Sequence, residues 1–237
     1  MARIVKEQEY TEKSNEILDA AQRLLYSKGY ERMTIQDILT DLQISSGAFY
    51  HYFNSKAILL EALIERMQQE AEEFLLPIIN DPHLPALEKL QVFFATLDRL
   101  KAANKSFLIG MMRGWYSDDN AGVRQKVNEA TIERRTPLVT LIVSQGIQEG
   151  VFSVPYANHA AEIIVSLMLS MENSFARLLL LVEQEREGFC YIDDIVDTYT
   201  AYVDAIEHVV GAPCCSLYRL DTKTVREWLD VEEVTTR

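Results

Sequence analysis

Cysteine is scarce in this chain: there are three in 237 residues, and two of them are adjacent. An odd number so spaced does not form a disulfide framework, which points to a reducing compartment. Glycine and proline are also few, nine and six. There is no internal repeat, low-complexity tract or long flexible linker, and helical periodicity continues almost throughout, so an all-α protein is expected. Long apolar runs are missing as well. The longest stretches, Ile163 to Met171 and Leu178 to Val182, are short and interrupted by Ser170, Glu172 and Asn173, so no membrane span is expected. The first twenty residues are charged and lack an apolar core, so no signal peptide is expected and the chain reads as cytoplasmic. Catalytic signatures are absent too: no Gly-rich phosphate loop, nucleophile elbow or zinc-protease pattern occurs. The four histidines, His51, His83, His159 and His208, have no partner at a catalytic spacing. No catalytic residue, cofactor or metal is expected. Positive charge is in deficit, 23 Lys and Arg against 36 Asp and Glu, for a net charge of -13. Nearly half the residues are apolar, enough to bury a sizeable core.

The most informative segment runs from Thr34 to Lys56. Thr34 is a good helix N-cap, and Ile35, Ile38, Leu39 and Leu42 follow at spacings that make one apolar face. The pattern restarts at Ser45, with Ile44 as an apolar plug and Phe49 and Phe53 four apart on one face. Ser46, Ala48, Tyr50 and His51 then point elsewhere. Small residues in the first turn of that second helix let its N-terminus approach a DNA backbone or base edge, and serine hydroxyls and free amides suit phosphate oxygens. Ser55 caps a further helix in which Lys56 can neutralise a phosphate. Two short helices, a tight turn and a capped third helix spell a helix-turn-helix, with double-stranded DNA as partner.

Residues from about Ser14 to Leu63 resemble the DNA-binding domain of the tetracycline-repressor (TetR) family of bacterial regulators. The match includes the helix Ile17 to Tyr30, the threonine opening the second helix, Ile44-Ser-Ser-Gly-Ala-Phe-Tyr-His-Tyr-Phe53, and Ser55-Lys56. The resemblance implies that Ser45, Ser46, Gly47 and Ala48 sit at the major groove. It also implies that Tyr50 and His51 touch backbone or a thymine methyl, and that Thr34, Tyr52 and Lys56 hold phosphates. One position departs from the family pattern: Gln43 stands where the turn often has glycine, which implies a left-handed turn carrying strain or a turn of another shape.

The deficit of positive charge is uneven. Residues 1 to 56 hold seven Lys and Arg against eight Asp and Glu, whereas residues 57 to 237 hold 16 against 28. The acidity thus lies away from the motif, leaving Arg3, Lys6, Lys13, Arg32 and Lys56 to meet phosphate. The domain division read from the sequence is 1–57 for DNA binding and 58–237 for a helical effector-binding and dimerisation domain.

Further helices are expected over Thr11 to Lys28, from Lys56 to about Phe74 or Leu76 with a stop at Pro77, and over Leu84 to Ala103. Others follow near Ser106 to Tyr116, over Val123 to Glu149 with a kink at Pro137, and over Tyr156 to Glu187 and Tyr191 to Val210. The last two carry apolar faces, Ala160, Ala161, Ile164, Leu167, Met168, Met171 and Phe175 on one, Ile195, Tyr199, Tyr202, Val203 and Ile206 on the other. They exceed what one layer covers, and the resemblance implies a four-helix homodimer interface and an inverted-repeat operator. A tail helix is expected within Leu217 to Arg237 around Val225, Trp228, Leu229 and Val231.

Phe94, Phe107, Met111, Trp115, Tyr116, Leu141, Met168 and Phe175 are candidates to line a pocket for a small apolar or amphipathic effector, with Arg113, Glu172 or Asn173 orienting a polar group. His159 and Glu162 share a helical face without a third metal ligand. Cys214 and Cys215 are candidates to sense oxidants or soft metals, but with no cation nearby they are expected to be inert. The function read from the sequence is a DNA-binding regulator, a repressor released by a small effector. A TetR-like activator and a helical interaction module without effector are the competing readings.

Overall fold

Helix boundaries are set by capping chemistry that the sequence spells out. In a computed structural model describing residues 2–185 and 191–229, without the side chains of 2–7, 106, 107, 113, 119, 181–185 and 227–229, ten α-helices follow one another. They are α1 (Ala2–Lys28), α2 (Ile35–Leu42), α3 (Ser46–Tyr52), α4 (Lys56–Asn80), α5 (Ala86–Ala103), α6 (Lys105–Trp115), α7 (Ala121–Gln148), α8 (Ala157–Glu185), α9 (Ile192–Val210) and α10 (Thr222–Leu229), with a 3-10 turn at Asp118–Asn120. Gly29, at φ 75°, ends α1 and returns its amide to the Leu25 carbonyl at 2.9 Å. Gly211 does the same for α9 at φ 65°.

Two boundaries differ from expectation by more than two residues. The first helix begins at Ala2 rather than Thr11. Its apolar stripe starts only near Ile17, but no glycine or proline interrupts the residues before it. The fourth helix continues through Pro77 to Asn80. Proline removes one intrahelical bond, and Leu75 and Ile79, 0 % and 4 % exposed, anchor the turns around it in the core.

The chain forms two compact units, Met1–Glu70 with Ala103–Val127, and Ala71–Ala102 with Asn128–Arg237. In the first, Ile17, Ala21 and Leu25 of α1 pack with Ile38, Phe49, Leu59, Leu60 and Leu63, and α6 and α7 contribute Met111 and Val127. Helix α6 lies close on the end of α1: Tyr30 donates its amide to the Gly110 carbonyl at 3.0 Å. A β-carbon at Gly114 would fall inside the Tyr30 ring.

In the second unit, Leu90, Phe93, Val139, Ile142, Val143, Ala161, Ile164, Val165 and Ile206 are each fully buried in one core. The first turn of α5 is capped from far away, Glu149 Oε2 accepting from the Ala86 amide at 2.9 Å. The apolar faces assigned to a subunit interface are largely spent inside the chain. Ala160, Ala161, Ile164, Met168, Met171, Ile195, Tyr199, Val203 and Ile206 are all buried within the single chain. Periodicity reveals an apolar face but not what covers it, and here α8 and α9 cover each other. Ile163, 49 % exposed, remains outward on α8. Residues Ala157–Leu180 of α8 are, by length and composition, apolar enough to cross a membrane, with mean hydropathy 1.5. That stretch is longer than the polar interruptions suggested, and its inner face belongs to the core. The expected tail helix forms as α10, with Val225 buried against Ile192 and Ile195. The side chains of Trp228 and Leu229, and all of Val231, lie outside the described residues.

Candidate nucleic-acid interface

The turn between α2 and α3 is built from backbone hydrogen bonds that close α2 with a left-handed residue. Thr34 and Asp37 form a complete capping box: Thr34 Oγ1 accepts from the Asp37 amide at 3.1 Å, and the Thr34 amide donates to Asp37 Oδ2 at 2.9 Å. Asp37 also accepts from Lys28 Nζ at 2.7 Å. That bond first, then those from Thr34, hold its carboxyl down at about 2. At the other end Gln43 sits at φ 52°, ψ 40°. The Ile44 amide reaches the Leu39 carbonyl at 3.1 Å and the Gln43 amide the Thr40 carbonyl at 3.4 Å, a Schellman closure. Of the two shapes that the departure at Gln43 left open, the turn takes the left-handed one. Ile44 packs on the first unit's core beside Leu39.

Ser45 then caps α3, its Oγ accepting from the Ala48 amide at 3.2 Å. Phe49 and Phe53 turn inward, 0 % and 4 % exposed. The opposite side leaves Ser45, Ser46, Gly47, Tyr50 and His51 exposed and Ala48 half-buried. These residues therefore share one accessible helix face. Thr34 is exposed at the start of α2 with its hydroxyl engaged by Asp37 on both sides. Tyr52 is half-buried, its ring 4.7 Å from that of Tyr10 in α1. Tyr10 also meets His51 edge-on at 5.7 Å. This aromatic support for the end of α3 was not found from the sequence, because Tyr10 precedes the apolar stripe that marked the first helix.

Lys56 opens α4, with Ser55 Oγ accepting from the Ile58 amide at 3.1 Å. Its Nζ lies 4.1 Å from the Tyr30 ring centre and donates to the Glu31 carbonyl at 3.4 Å. Burial lowers its pKa from 10.5, opposed by the charges of Glu31 and Asp37. Of the other cations of this unit, Arg23 is held by Asp41 at 2.8 Å, Lys28 by Asp37 and Lys13 by Glu16, whereas Arg32 donates to the Lys28 carbonyl at 2.9 Å. The side chains of Arg3 and Lys6 lie outside the described residues.

The effector candidates divide between two cores. Phe94, Met168 and Phe175 pack in the core of the second unit, where Phe175 stacks on Tyr199 with ring centres 6.0 Å apart. Met111 and Trp115 belong to the core of the first unit, and Tyr116 stacks under Arg124 at 5.4 Å. Leu141 is 54 % exposed, and the side chains of Phe107 and Arg113 lie outside the described residues.

A polar network accompanies the second group. Tyr199 donates to Asp98 at 3.2 Å, Lys101 contacts Asp98 at 3.8 Å and Glu172 at 3.0 Å, and Arg135 lies 3.9 Å from Glu172. Burial works against the charges of Lys101 and Glu172. The charge of Glu172, and then that of Asp98, outweighs it and raises Lys101, while the charges of Lys101 and Arg135 lower Glu172. Arg135 Nη1 and Thr136 Oγ1 are buried without a hydrogen-bond partner. Elsewhere His159 Nδ1 stands 3.8 Å from Glu162, and among the described residues no three His, Cys, Asp or Glu converge.

An all-helical chain presenting a short, capped, small-residue helix outward across a tight turn is a helix-turn-helix DNA-binding protein. Residues 17–63 match the family described as bacterial regulatory proteins, tetR family, and residues 112–176 match the tetracyclin repressor-like C-terminal domain. The HTH-type transcriptional regulator TtgR of Pseudomonas putida is 27% identical over 188 residues, covering 76% of this chain and 86% of the relative. A nucleoid occlusion factor, SlmA of Vibrio campbellii, is 28% identical over 172 residues, covering 70% and 85%. Among solved structures, the regulator FadR of Bacillus subtilis with stearoyl-CoA has a TM-score of 0.56 at 21% identity, over 84% of this chain and 98% of that one. A TetR regulator from Haloarcula marismortui also reaches 0.56, at 19% identity over 85% and 97%. The chain belongs to the TetR family: it is a transcriptional regulator with a DNA-binding helix-turn-helix.

Proposed function

We propose that this regulator is a cytoplasmic repressor without catalytic activity. In this reading it binds an inverted-repeat operator as a homodimer and is released by a small apolar or amphipathic effector. The observation that carries it is the exposed face of α3, with Ser45, Ser46, Gly47, Tyr50 and His51 accessible while Phe49 and Phe53 fix the helix from behind. In this reading Ser45, Ser46, Gly47 and Ala48 meet base edges, Tyr50 and His51 meet backbone or a thymine methyl, and Thr34, Tyr52 and Lys56 meet phosphates. Residues 1–57 do the reading, while residues 58–237 bind effector and partner.

The outward side of α8 around Ile163 supports a place for the second copy. For the effector, Phe94, Met168 and Phe175 supply apolar lining in the second unit, and the network of Asp98, Lys101, Arg135 and Glu172 supports recognition of a polar end. The similar fold that holds stearoyl-CoA, an amphipathic molecule, agrees with this class. Effector binding would favour a conformation in which the dimer's two reading heads no longer match successive major grooves.

Genomic fragments retained by the purified protein, titrated in gel shifts at several salt concentrations, test the reading. Lys56→Ala should weaken all fragments alike and lower the salt slope by about 1, whereas substitutions at Ser46 or Ala48 should change which fragment is preferred. Failure to retain any fragment in a salt-dependent way would refute DNA recognition and favour a protein-interaction module.

A further inference from the structure

Cys214 and Cys215 follow α9 in a loop whose position is fixed by one buried carboxylate. Glu207, 1 % exposed, accepts from the Cys215 amide at 3.0 Å, from the Leu217 amide at 2.7 Å and from Arg219 Nη2 at 2.8 Å. Arg219 also bonds Asp204 at 2.5 Å. These bonds hold Cys215 at φ 60°, in the left-handed region. The result is two exposed thiols with sulfurs 3.5 Å apart. Arg219, bonded to both Glu207 and Asp204, interacts electrostatically with Cys215, while the Cys214 thiol is pushed up, first by its hydrogen bond with Cys215 and the charge of that neighbour, then by burial and the charges of Glu207 and Asp204.

Oxidation to a disulfide does not suit this pair. Neighbouring Cα atoms are about 3.8 Å apart, whereas a disulfide spans roughly 4.4 to 6.8 Å between its Cα atoms. Sharing one thiophilic centre does suit it. With a bond to sulfur of about 2.3 Å, two thiolates on one centre stand about 3.3 Å apart at a right angle and about 3.8 Å apart at a tetrahedral angle. The observed separation falls between these, and far from the roughly 4.6 Å of a linear two-sulfur ion. A tetrahedral ion would need two further ligands, and among the described residues no third His, Cys, Asp or Glu joins the pair.

We propose that Cys214 and Cys215 form a bidentate site for a trivalent, thiophilic centre carrying one other substituent, that is, a monosubstituted trivalent arsenical. The step is a condensation: two As–S bonds form, two S–H bonds and the As–O bonds of the oxide break, and the oxygen leaves as water with both thiol protons. Arsenic stays trivalent, so no oxidant or reductant takes part. The site is anchored to α9 through Glu207.

The test uses the full chain carrying Cys190→Ser, which removes the remaining cysteine, and phenylarsine oxide as the probe. One equivalent should block both thiols to a chromogenic disulfide reagent. A dithiol such as 2,3-dimercaptopropanol should restore them, and an equal concentration of a monothiol should not. Adding Cys214→Ser or Cys215→Ser should weaken protection by about 100-fold, the advantage of holding the second sulfur in place. Both side chains are exposed, so each variant should keep the parent's far-UV circular dichroism, which is the control on folding. Equal protection in the single-cysteine variants, or uptake of two equivalents by the pair, would overturn the proposal.

Discussion

Gln43 occupies a conformation that costs an L-residue about 1 to 2 kcal/mol, because its Cβ crowds the following carbonyl. Glycine escapes that clash but loses more backbone freedom on folding, about 0.5 to 1 kcal/mol. Gln43→Gly should therefore stabilise the chain by about 0.5 to 1 kcal/mol, read as a higher urea midpoint with unchanged slope. A lower midpoint would show that the Gln43 side chain contributes contacts worth more than the strain. Asp37 gives a pH-dependent counterpart. Its carboxyl falls from 3.8 to about 2 in the folded chain, so its stabilisation is fully present above the unfolded value and disappears as pH drops through the folded one. Asp37→Asn should lower the urea midpoint at neutral pH, and its difference from the parent should shrink steadily between about pH 4 and pH 2. A difference independent of pH would mean that the bonds from Lys28 and Thr34 do not depend on the charge.

Gly114 makes the corresponding point for α6. With a β-carbon there the Tyr30 ring must move, and Asn120, which donates to the Gly114 carbonyl at 2.8 Å, must follow. Gly114→Ala should cost roughly 1 to 3 kcal/mol through overpacking, measured by thermal unfolding. Tyr30→Leu in the same chain should recover part of that cost, because the two substitutions share one contact. Additive losses would place the strain elsewhere.

The helix-turn-helix was legible in the sequence because everything that shapes it is local: Thr34 and Ser45 as caps, Ile44 as plug, Phe49 and Phe53 one turn apart. At Gln43 the sequence left a left-handed turn and a turn of another shape open, and the backbone bonds to Leu39 and Thr40 decide for the first. What long-range packing decides was not legible. Pro77 could be read as a stop, but the burial of Leu75 and Ile79 carries α4 past it. The faces of α8 and α9 could be read as apolar, but not as each other's partners. Met111 and Phe94 looked alike as apolar residues of neighbouring helices, yet they pack in different cores. Tyr10 gave no periodic signal at all.

At the scale of the whole molecule, most of the net negative charge falls in residues 57 to 237. Carboxylates outside the reading motif oppose indiscriminate attachment to DNA. The first compact unit is also discontinuous in sequence: its core needs Met111 and Val127, supported by Leu108, Trp115 and Val123. A ribosome therefore releases the whole motif from Thr34 to Lys56 well before the residues that seal it, and the reading head must wait, unfinished, until more than half the chain has emerged. The same order predicts that residues 1–70 alone do not fold cooperatively. A peptide of residues 1–70 should accordingly show helical circular dichroism but lose it gradually on heating, and a sharp cooperative transition would show that it closes its core alone.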